Sequence, residues 1–415
     1  MDIAHHPRSR MQSGTMIRRV LTAKGVRAFG DGFVSLLLPV HLLQLGFTAL
    51  QVGVIATATL LGSGMLSLGV GLRAHRYPIR SLLLAAAILM AATGLGFAAV
   101  TAFWPLLLVA FVGTLNPSSG DVSVFLPLEH ALLSEAATAE ARTAVFARYS
   151  LVGTLAAAAG SLAAAVPSLA ASSLGWTETA ATQAMFVLYA VLGMASGLLY
   201  RRLPRHAEGD AARVHAALGP SRRRVYVLAG LFSVDAFAGG LVVQSMLALW
   251  LLQRFAMPLG SIAALFAWTG LLSAGSFLVA VRIARRIGLV NTMVFTHIPA
   301  NICLVLLPFA PDVASAVVLL LVRSALSQMD VPTRSSYVMA IVTPAERPAA
   351  ASVTSVPRSL AAAASPVIAG WMLAASPFGW PLVAAGALKI AYDLALLVAF
   401  RAIRPPEEGR RPEDG

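Results

Sequence analysis

Long apolar runs, separated by short gaps that hold most of the charges, constrain this sequence more than any other feature. A helix needs roughly 20 apolar residues to cross a bilayer, because each residue advances it by about 1.5 Å. Hydrophobic residues make up 58% of the chain and charged residues only 12%, too few charges to cover a soluble fold. The sequence therefore predicts an all-α membrane protein with twelve transmembrane helices. These spans are predicted at about 27–46, 50–72, 80–101, 104–128, 143–166, 180–200, 224–252, 257–281, 288–309, 313–338, 350–375 and 379–400.

The lysines and arginines outside the spans fall almost entirely in alternate gaps. The two termini and the gaps after the even-numbered spans hold nearly all of them. The other set contains only Arg254. Membrane proteins keep Lys and Arg on the cytoplasmic side. The pattern predicts a multi-pass protein of the inner (plasma) membrane with both termini in the cytoplasm.

Short elements recur in the two halves of the sequence at nearly one offset. Asp121-Val122 reappears as Asp330-Val331, and 330 − 121 = 209; Arg76 reappears as Arg286 at an offset of 210. Matches in one register indicate a duplicated unit of about half the chain, as in many transporters. We therefore predict two pseudo-symmetric six-helix bundles.

The predicted domain boundaries follow from this duplication and from the charged gap at its centre. They are a basic N-terminus (1–24), an N-terminal bundle (25–200), a cytoplasmic linker (201–223), a C-terminal bundle (224–401) and a cytoplasmic tail (402–415). Met1, Met11 and Met16 all remain possible starts.

Two six-span halves joined by a basic linker resemble the major facilitator superfamily. The loop after span 2 carries part of that family's glycine- and arginine-rich motif, with His75 in place of the acid. The loop after span 8 matches in part, again without the acid. The resemblance implies cytoplasmic gate loops, formed by Gly71, His75, Arg76, Arg80, Arg286 and Gly288.

In span 1, Asp31 precedes Pro39 by eight residues. This spacing is similar to that of drug–proton antiporters within the superfamily. The resemblance implies proton-coupled efflux by alternating access, with spans 1, 4, 7 and 10 lining the pathway.

Polar residues inside the spans are the candidate functional residues, because a charge at the bilayer centre costs about 2.5–3.5 kcal/mol. In span 10, spacings of 4, 3 and 4 place Arg323, Ser327, Asp330 and Arg334 in one stripe on a helix. The stripe could bind substrate or a proton. It could equally be structural, with Asp330 paired to Arg334 or to Arg358.

Spans 1, 4, 7 and 12 contain further polar residues. Pro117 and Gly120 predict a broken span 4, which could line a cavity. In span 12, Lys389 and Asp393 are spaced for a same-helix ion pair. A desolvated carboxylate is a plausible proton carrier. The complete set of candidate pathway residues is Asp31, Asn116, Asp121, Asp235, Gln244, Arg323, Ser327, Asp330 and Arg334.

Other function classes lack their motifs. The sequence shows no enzyme motif, no metal-ligand spacing and no nucleotide loop, so we predict no cofactor, no metal and no catalytic activity. Basic residues are not interleaved with aromatic ones, which disfavours nucleic acid. We predict a monomeric secondary transporter that exports a small organic solute in exchange for protons. Three alternatives stay open: a proton-coupled importer of an anionic metabolite, a lipid-handling facilitator and a non-transporting receptor.

Overall fold

All regular secondary structure in the described part of the chain is helical, which confirms the all-α prediction. The computed structural model describes residues 7–73, 77–118, 123–137, 139–203, 219–329, 334, 337–338, 342 and 346–400. The helices are α1 (Pro7–Gln44), α2 (Ala49–Arg73), α3 (Ile79–Ala99), α4 (Phe103–Val112), α5 (Phe125–Ala136), α6 (Ala139–Ala163), α7 (Val166–Leu174), α8 (Glu178–Arg201), α9 (Arg222–Leu241), α10 (Gln244–Phe255), α11 (Leu259–Ile287), α12 (Leu289–Leu306), α13 (Val313–Ser327), α14 (Arg347–Ala375) and α15 (Trp380–Phe400).

The chain forms two compact units. Unit 1 comprises Met1–Phe47, Ala58–Ala211 and Leu259–Ala267; unit 2 comprises Thr48–Thr57, Ala212–Pro258 and Trp268–Gly415. In unit 1, α1 packs on α6 and α8, and α3 packs on α8. In unit 2, α9 packs on α14 and α15, and α12 packs on α15. The same pairing pattern occurs in both units, which supports the duplication inferred from the sequence.

Ten stretches of helix are long and apolar enough to cross a membrane within the described residues. The predicted spans 104–128 and 313–338 contain only the shorter apolar helices Phe103–Val112 and Val313–Ser327. α4 ends early because Gly113 adopts an extended conformation (φ −73°, ψ −178°). α13 ends at Ser327, five residues before Pro332, and a proline interrupts the hydrogen bonding of the turn that precedes it. The count of twelve crossings therefore stays a prediction.

Two of the predicted spans are broken near a polar residue. Span 4 divides into α4 and α5, which confirms the break predicted from Pro117 and Gly120. Span 7, predicted as one helix over 224–252, is two helices, because the backbone leaves the helical conformation at Val242 and Val243. Gln244 is therefore the first residue of α10.

Small residues bring helix backbones into contact in each unit, as the Ala-, Gly- and Ser-rich runs predict for packing helices. In unit 1, a Cβ added to Gly160 of α6 would lie 2.0 Å from the carbonyl oxygen of Phe29 in α1. In unit 2, a Cβ added to Gly240 of α9 would lie 2.3 Å from the carbonyl oxygen of Ala362 in α14. Neither contact leaves room for a methyl group.

We expect Gly240→Ala to destabilise the protein by about 1–3 kcal/mol, because the new methyl group meets backbone atoms that move only with the helix. Gly230→Ala on the same helix is the matched control, since its added Cβ would have no neighbour within 4 Å and alanine favours helix. Thermal unfolding of the purified variants in detergent measures both. Equal melting temperatures for Gly240→Ala and the wild type would contradict the close packing of α9 on α14.

Candidate functional site

A buried carboxylate in unit 2 is paired with two cations. Asp235 of α9 lies 2.5 Å from Nζ of Lys389 in α15 and 3.2 Å from Nη1 of Arg334. The guanidinium of Arg334 also lies over the ring of Phe232, 5.4 Å from its centroid. All three charged side chains are at most one-tenth exposed. Burial of this kind is tolerated only when opposite charges are close together.

A second buried carboxylate, Asp393, lies one helical turn after Lys389 on α15. Asp393 is fully buried and accepts hydrogen bonds from Nδ1 of His297, at 3.0 and 3.1 Å, and from Nδ2 of Asn301, at 3.2 Å. His297 and Asn301 lie one turn apart on α12, so they present their side chains to the same face of α15. We refer to Asp235, His297, Asn301, Arg334, Lys389 and Asp393 as the unit 2 cluster.

Unit 1 holds a different buried ion pair, between Arg27 of α1 and Glu129 of α5. The hydroxyl groups of Tyr149 and Tyr200 each donate a hydrogen bond of 2.6 Å to the carboxylate of Glu129. The hydroxyl of Tyr200 also accepts one of 3.0 Å from Nε of Arg27. The guanidinium lies 3.9 Å from the centroid of the Phe125 ring. This unit 1 cluster joins α1, α5, α6 and α8, and its pairing is complete.

Asp31, the position in unit 1 that matches Asp235 at an offset of 204, has a simpler environment. The hydroxyl of Tyr189 lies 3.4 Å from Oδ1 of Asp31 and 3.3 Å from the carbonyl oxygen of Thr114. Since a hydroxyl has one proton, it donates to only one of these acceptors at a time. No cation lies within salt-bridge distance of Asp31 in the described part of the chain.

Arg323 of α13 is a buried cation with few compensating contacts in the described part of the chain. It lies ten residues into α13, about 15 Å from the N-terminal end of the helix. Its Nε atom is buried without a hydrogen-bond partner. Among the described residues, no carboxylate lies within 4 Å of Arg323.

The fold and these charged helices can be compared with known proteins. The sequence profile of the Major Facilitator Superfamily matches residues 20–329, about three quarters of the chain. The chain belongs to this superfamily. Membership confirms the predicted superfamily and a multi-span transporter fold.

Relatives of this superfamily member are distant. An uncharacterized membrane protein of Saccharomyces cerevisiae is 25% identical over 414 aligned residues, covering 91% of this chain and 92% of that protein. A crystal structure of a point mutant of the nucleoside transporter NupG matches with a TM-score of 0.74 at 13% identity, covering 93% of this chain and 100% of that one. A bacterial homolog of the human lysosomal transporter Spinster, inward-facing and occupied, matches with a TM-score of 0.73 at 14% identity, covering 96% and 98%.

The superfamily fold brings some of the predicted pathway residues into defined environments. Asn116 is buried and its Oδ1 accepts hydrogen bonds from the backbone and hydroxyl of Ser118. Gln244 begins α10, and Ser327 ends α13 one turn after Arg323. Asp121 and Asp330 lie outside the described residues.

Two predicted arrangements of charged residues need correction. The same-helix ion pair between Lys389 and Asp393 is wrong, because Lys389 instead contacts Asp235 on α9. The single helical stripe through span 10 is also wrong: α13 ends at Ser327, so Arg334 does not lie on the same continuous helix as Arg323. Arg334 instead pairs with Asp235.

The predicted gate residues lie near helix ends where they are described. Gly71 lies in the last turn of α2, Arg286 near the end of α11 and Gly288 immediately before α12. Nη1 of Arg80 donates to the carbonyl oxygen of Leu203, just after α8. A cation there complements the negative end of the helix dipole. His75 and Arg76 lie outside the described residues.

Several buried polar residues in the two clusters were missed by the sequence reasoning, among them Glu129, His297 and Asn301. Glu129 lies one residue beyond the predicted end of span 4, in the apolar stretch that became α5. His297 and Asn301 are spaced by four within span 9. That spacing was a usable signal, since polar residues one turn apart in an apolar helix share a face.

Proposed function

We propose that this superfamily member is a secondary active transporter that exports a small organic solute bearing an anionic group, in exchange for protons. The mechanism is alternating access of two six-helix bundles with twelve spans. The protein acts as a monomer in the plasma membrane with both termini in the cytoplasm. Reporter fusions at each terminus test that topology; an external terminus would contradict it.

Arg323 is the observation that carries the proposal. A guanidinium near the bilayer centre with a buried Nε that has no hydrogen-bond partner costs folding free energy, unless a bound group compensates it. Its planar donors match a carboxylate or phosphate group, which they bind through charge-assisted hydrogen bonds. An anionic group on the solute is therefore the partner that we assign to Arg323.

Proton coupling is assigned to Asp31. A partly buried carboxylate that faces a tyrosine hydroxyl rather than a cation can lose or gain a proton without stranding an opposite charge. Asp235 is less suited, because its protonation would remove the negative charge that both Lys389 and Arg334 contact. Asp330 stays a further candidate from the sequence.

The direction of transport separates two candidate functions that share this site. The spacing of Asp31 and Pro39 supports export, whereas Arg323 suits a proton-coupled importer of an anionic metabolite equally well. Neither a lipid-handling facilitator nor a receptor would require a buried cation such as Arg323 in mid-membrane. Flux in oriented proteoliposomes with an imposed pH gradient decides between export and import.

We expect small anions to stabilise the wild-type protein and Arg323→Gln to weaken that effect about tenfold or more. Hydrogen bonds to charged groups contribute about 1.5–3 kcal/mol, and 1.4 kcal/mol corresponds to tenfold in affinity. The assay is a thermal-shift screen of the purified protein against small carboxylates, phosphates and sulfonates, because a ligand of the folded state raises Tm.

Arg254→Gln is the control for the Arg323 experiment, because it removes the same charge from an exposed position at the end of α10. If every anion stabilises Arg323→Gln as strongly as the wild type, the assignment of Arg323 fails.

We expect Asp31→Asn to abolish accumulation driven by a pH gradient while solute exchange continues, because the amide no longer carries a proton. The measurement uses an anion found in the thermal-shift screen, radiolabelled, in proteoliposomes with and without a pH gradient. Full gradient-driven accumulation by Asp31→Asn would refute the role of Asp31.

A further inference from the structure

The two buried carboxylates of the unit 2 cluster are compensated unequally. Asp235 has two cationic partners, Lys389 and Arg334, so that this group of three carries a net charge of plus one. Among the described residues, Asp393 accepts hydrogen bonds from His297 and from the amide of Asn301 and from no cationic side chain. With a neutral imidazole, the group around Asp393 carries a net charge of minus one. A positive charge is therefore missing locally at Asp393.

The environment of Asp393 favours compensation by a proton. Asp393 is 0% exposed, His297 4% and Asn301 1%, so that a hydrated ion has little access. Nδ1 of His297 lies within 3.1 Å of both carboxylate oxygens. The ring of Tyr392 covers the imidazole, with the centroids 6.3 Å apart. An imidazole can carry either zero or one positive charge near neutral pH, which makes histidine the usual side chain for proton binding in proteins.

The other charges that His297 meets come from each neighbouring element. α15 contributes Lys389 and Asp393, and α9 contributes Asp235. Arg334 contacts the same Asp235. α13 contributes Arg323, which interacts electrostatically with Cys303 of α12. Asp393 is the only acid among these that is in hydrogen-bond distance of the imidazole in the described part of the protein.

We propose that His297 and Asp393 form a second proton-binding site, buried in unit 2, which is loaded and emptied during transport. The site takes one proton from water and returns one to water, and no other bond is made or broken. With the site empty, the charges of Asp235, Asp393, Lys389 and Arg334 cancel; with the site loaded, the unit 2 cluster carries plus one. The role in transport rests on the proposed proton-coupled function, whereas proton binding itself does not require it.

Proton binding can be measured without a solute. The purified full-length protein, labelled with ¹⁵N-histidine, is titrated by NMR from about pH 5 to pH 8. The chain has eight histidines, so the His297 signal is assigned by its absence from the spectrum of His297→Gln. We expect this signal to change protonation state within the range, and in Asp393→Asn to have its midpoint displaced by at least about one pH unit or its titration abolished. His41→Gln is the matched control, because it removes a buried imidazole from unit 1 and should leave that signal in place.

The wild-type spectrum alone can overturn the proposal. If the His297 signal stays in one protonation state over the whole range, the site does not exist. If it titrates but Asp393→Asn leaves its midpoint unchanged, the pair is not the site.

Flux measurements separate this proposal from the proposed function. Loss of gradient-driven accumulation in His297→Gln, with solute exchange retained, supports the role in transport. Unchanged accumulation in His297→Gln would remove the second site from the transport cycle while proton-coupled transport stands. A titrating His297 in a wild-type protein that shows no gradient-driven flux would overturn the proposed function and leave the proton site intact.

Discussion

Glu129→Gln is expected to destabilise the protein by about 3–5 kcal/mol, because it leaves Arg27 buried without a counter-charge. Arg27 is 3% exposed and Glu129 is fully buried. The two tyrosine hydroxyls that donate to Glu129 do not compensate for a lost negative charge, since they are neutral. Thermal or denaturant unfolding of the purified protein in detergent measures the loss.

Two further variants show whether charge is the cause. Glu178→Gln removes an acid from an exposed position in the first turn of α8 and should change stability by less than about 1 kcal/mol. The double variant Arg27→Met with Glu129→Met should recover most of the stability lost by Glu129→Gln, because a buried ion pair is often replaceable by apolar residues of similar size. A wild-type melting temperature for Glu129→Gln would refute the ion pair.

Asp235→Asn is the second substitution for which we expect a loss of about 3–5 kcal/mol, because both Lys389 and Arg334 then lose their shared carboxylate. Asp31→Asn is the natural comparison, since Asp31 occupies the matching position in unit 1. It accepts at most one long hydrogen bond there, and its replacement should cost about 1 kcal/mol or less.

A double-mutant cycle tests the pairing of Asp235 with Lys389. Adding Lys389→Met to Asp235→Asn should reduce the loss, because one of the two stranded cations is removed. If the two losses are simply additive, the residues do not interact. If Asp31→Asn and Asp235→Asn lower the melting temperature equally, the contrast between the two units is wrong.

The apolar helices could be predicted because partition into lipid depends on local composition. The breaks in α4–α5 and α9–α10 were harder to predict. Pro117 and Gly120 indicated the first, whereas at the second the pair Gly239-Gly240 precedes Val242 and Val243, which leave the helix, without a proline to mark the break. Stretches rich in Ala, Gly and Ser indicate that helices pack closely at positions such as Gly160 and Gly240. They do not indicate which helix each glycine packs against.

The sequence by itself determined an all-helical, multi-span membrane protein of a transporter superfamily, and it predicted Asp31, Asp235 and Arg323 as candidate functional residues. Only the tertiary structure decided which charges meet. Asp235 pairs with Lys389, 154 residues away, and Arg27 with Glu129, 102 residues away. Local spacing instead favoured Lys389 with Asp393, which the fold does not form. Ion pairs inside a membrane protein form between helices because the free energy depends on which charges share a buried environment, and that depends on how distant helices pack.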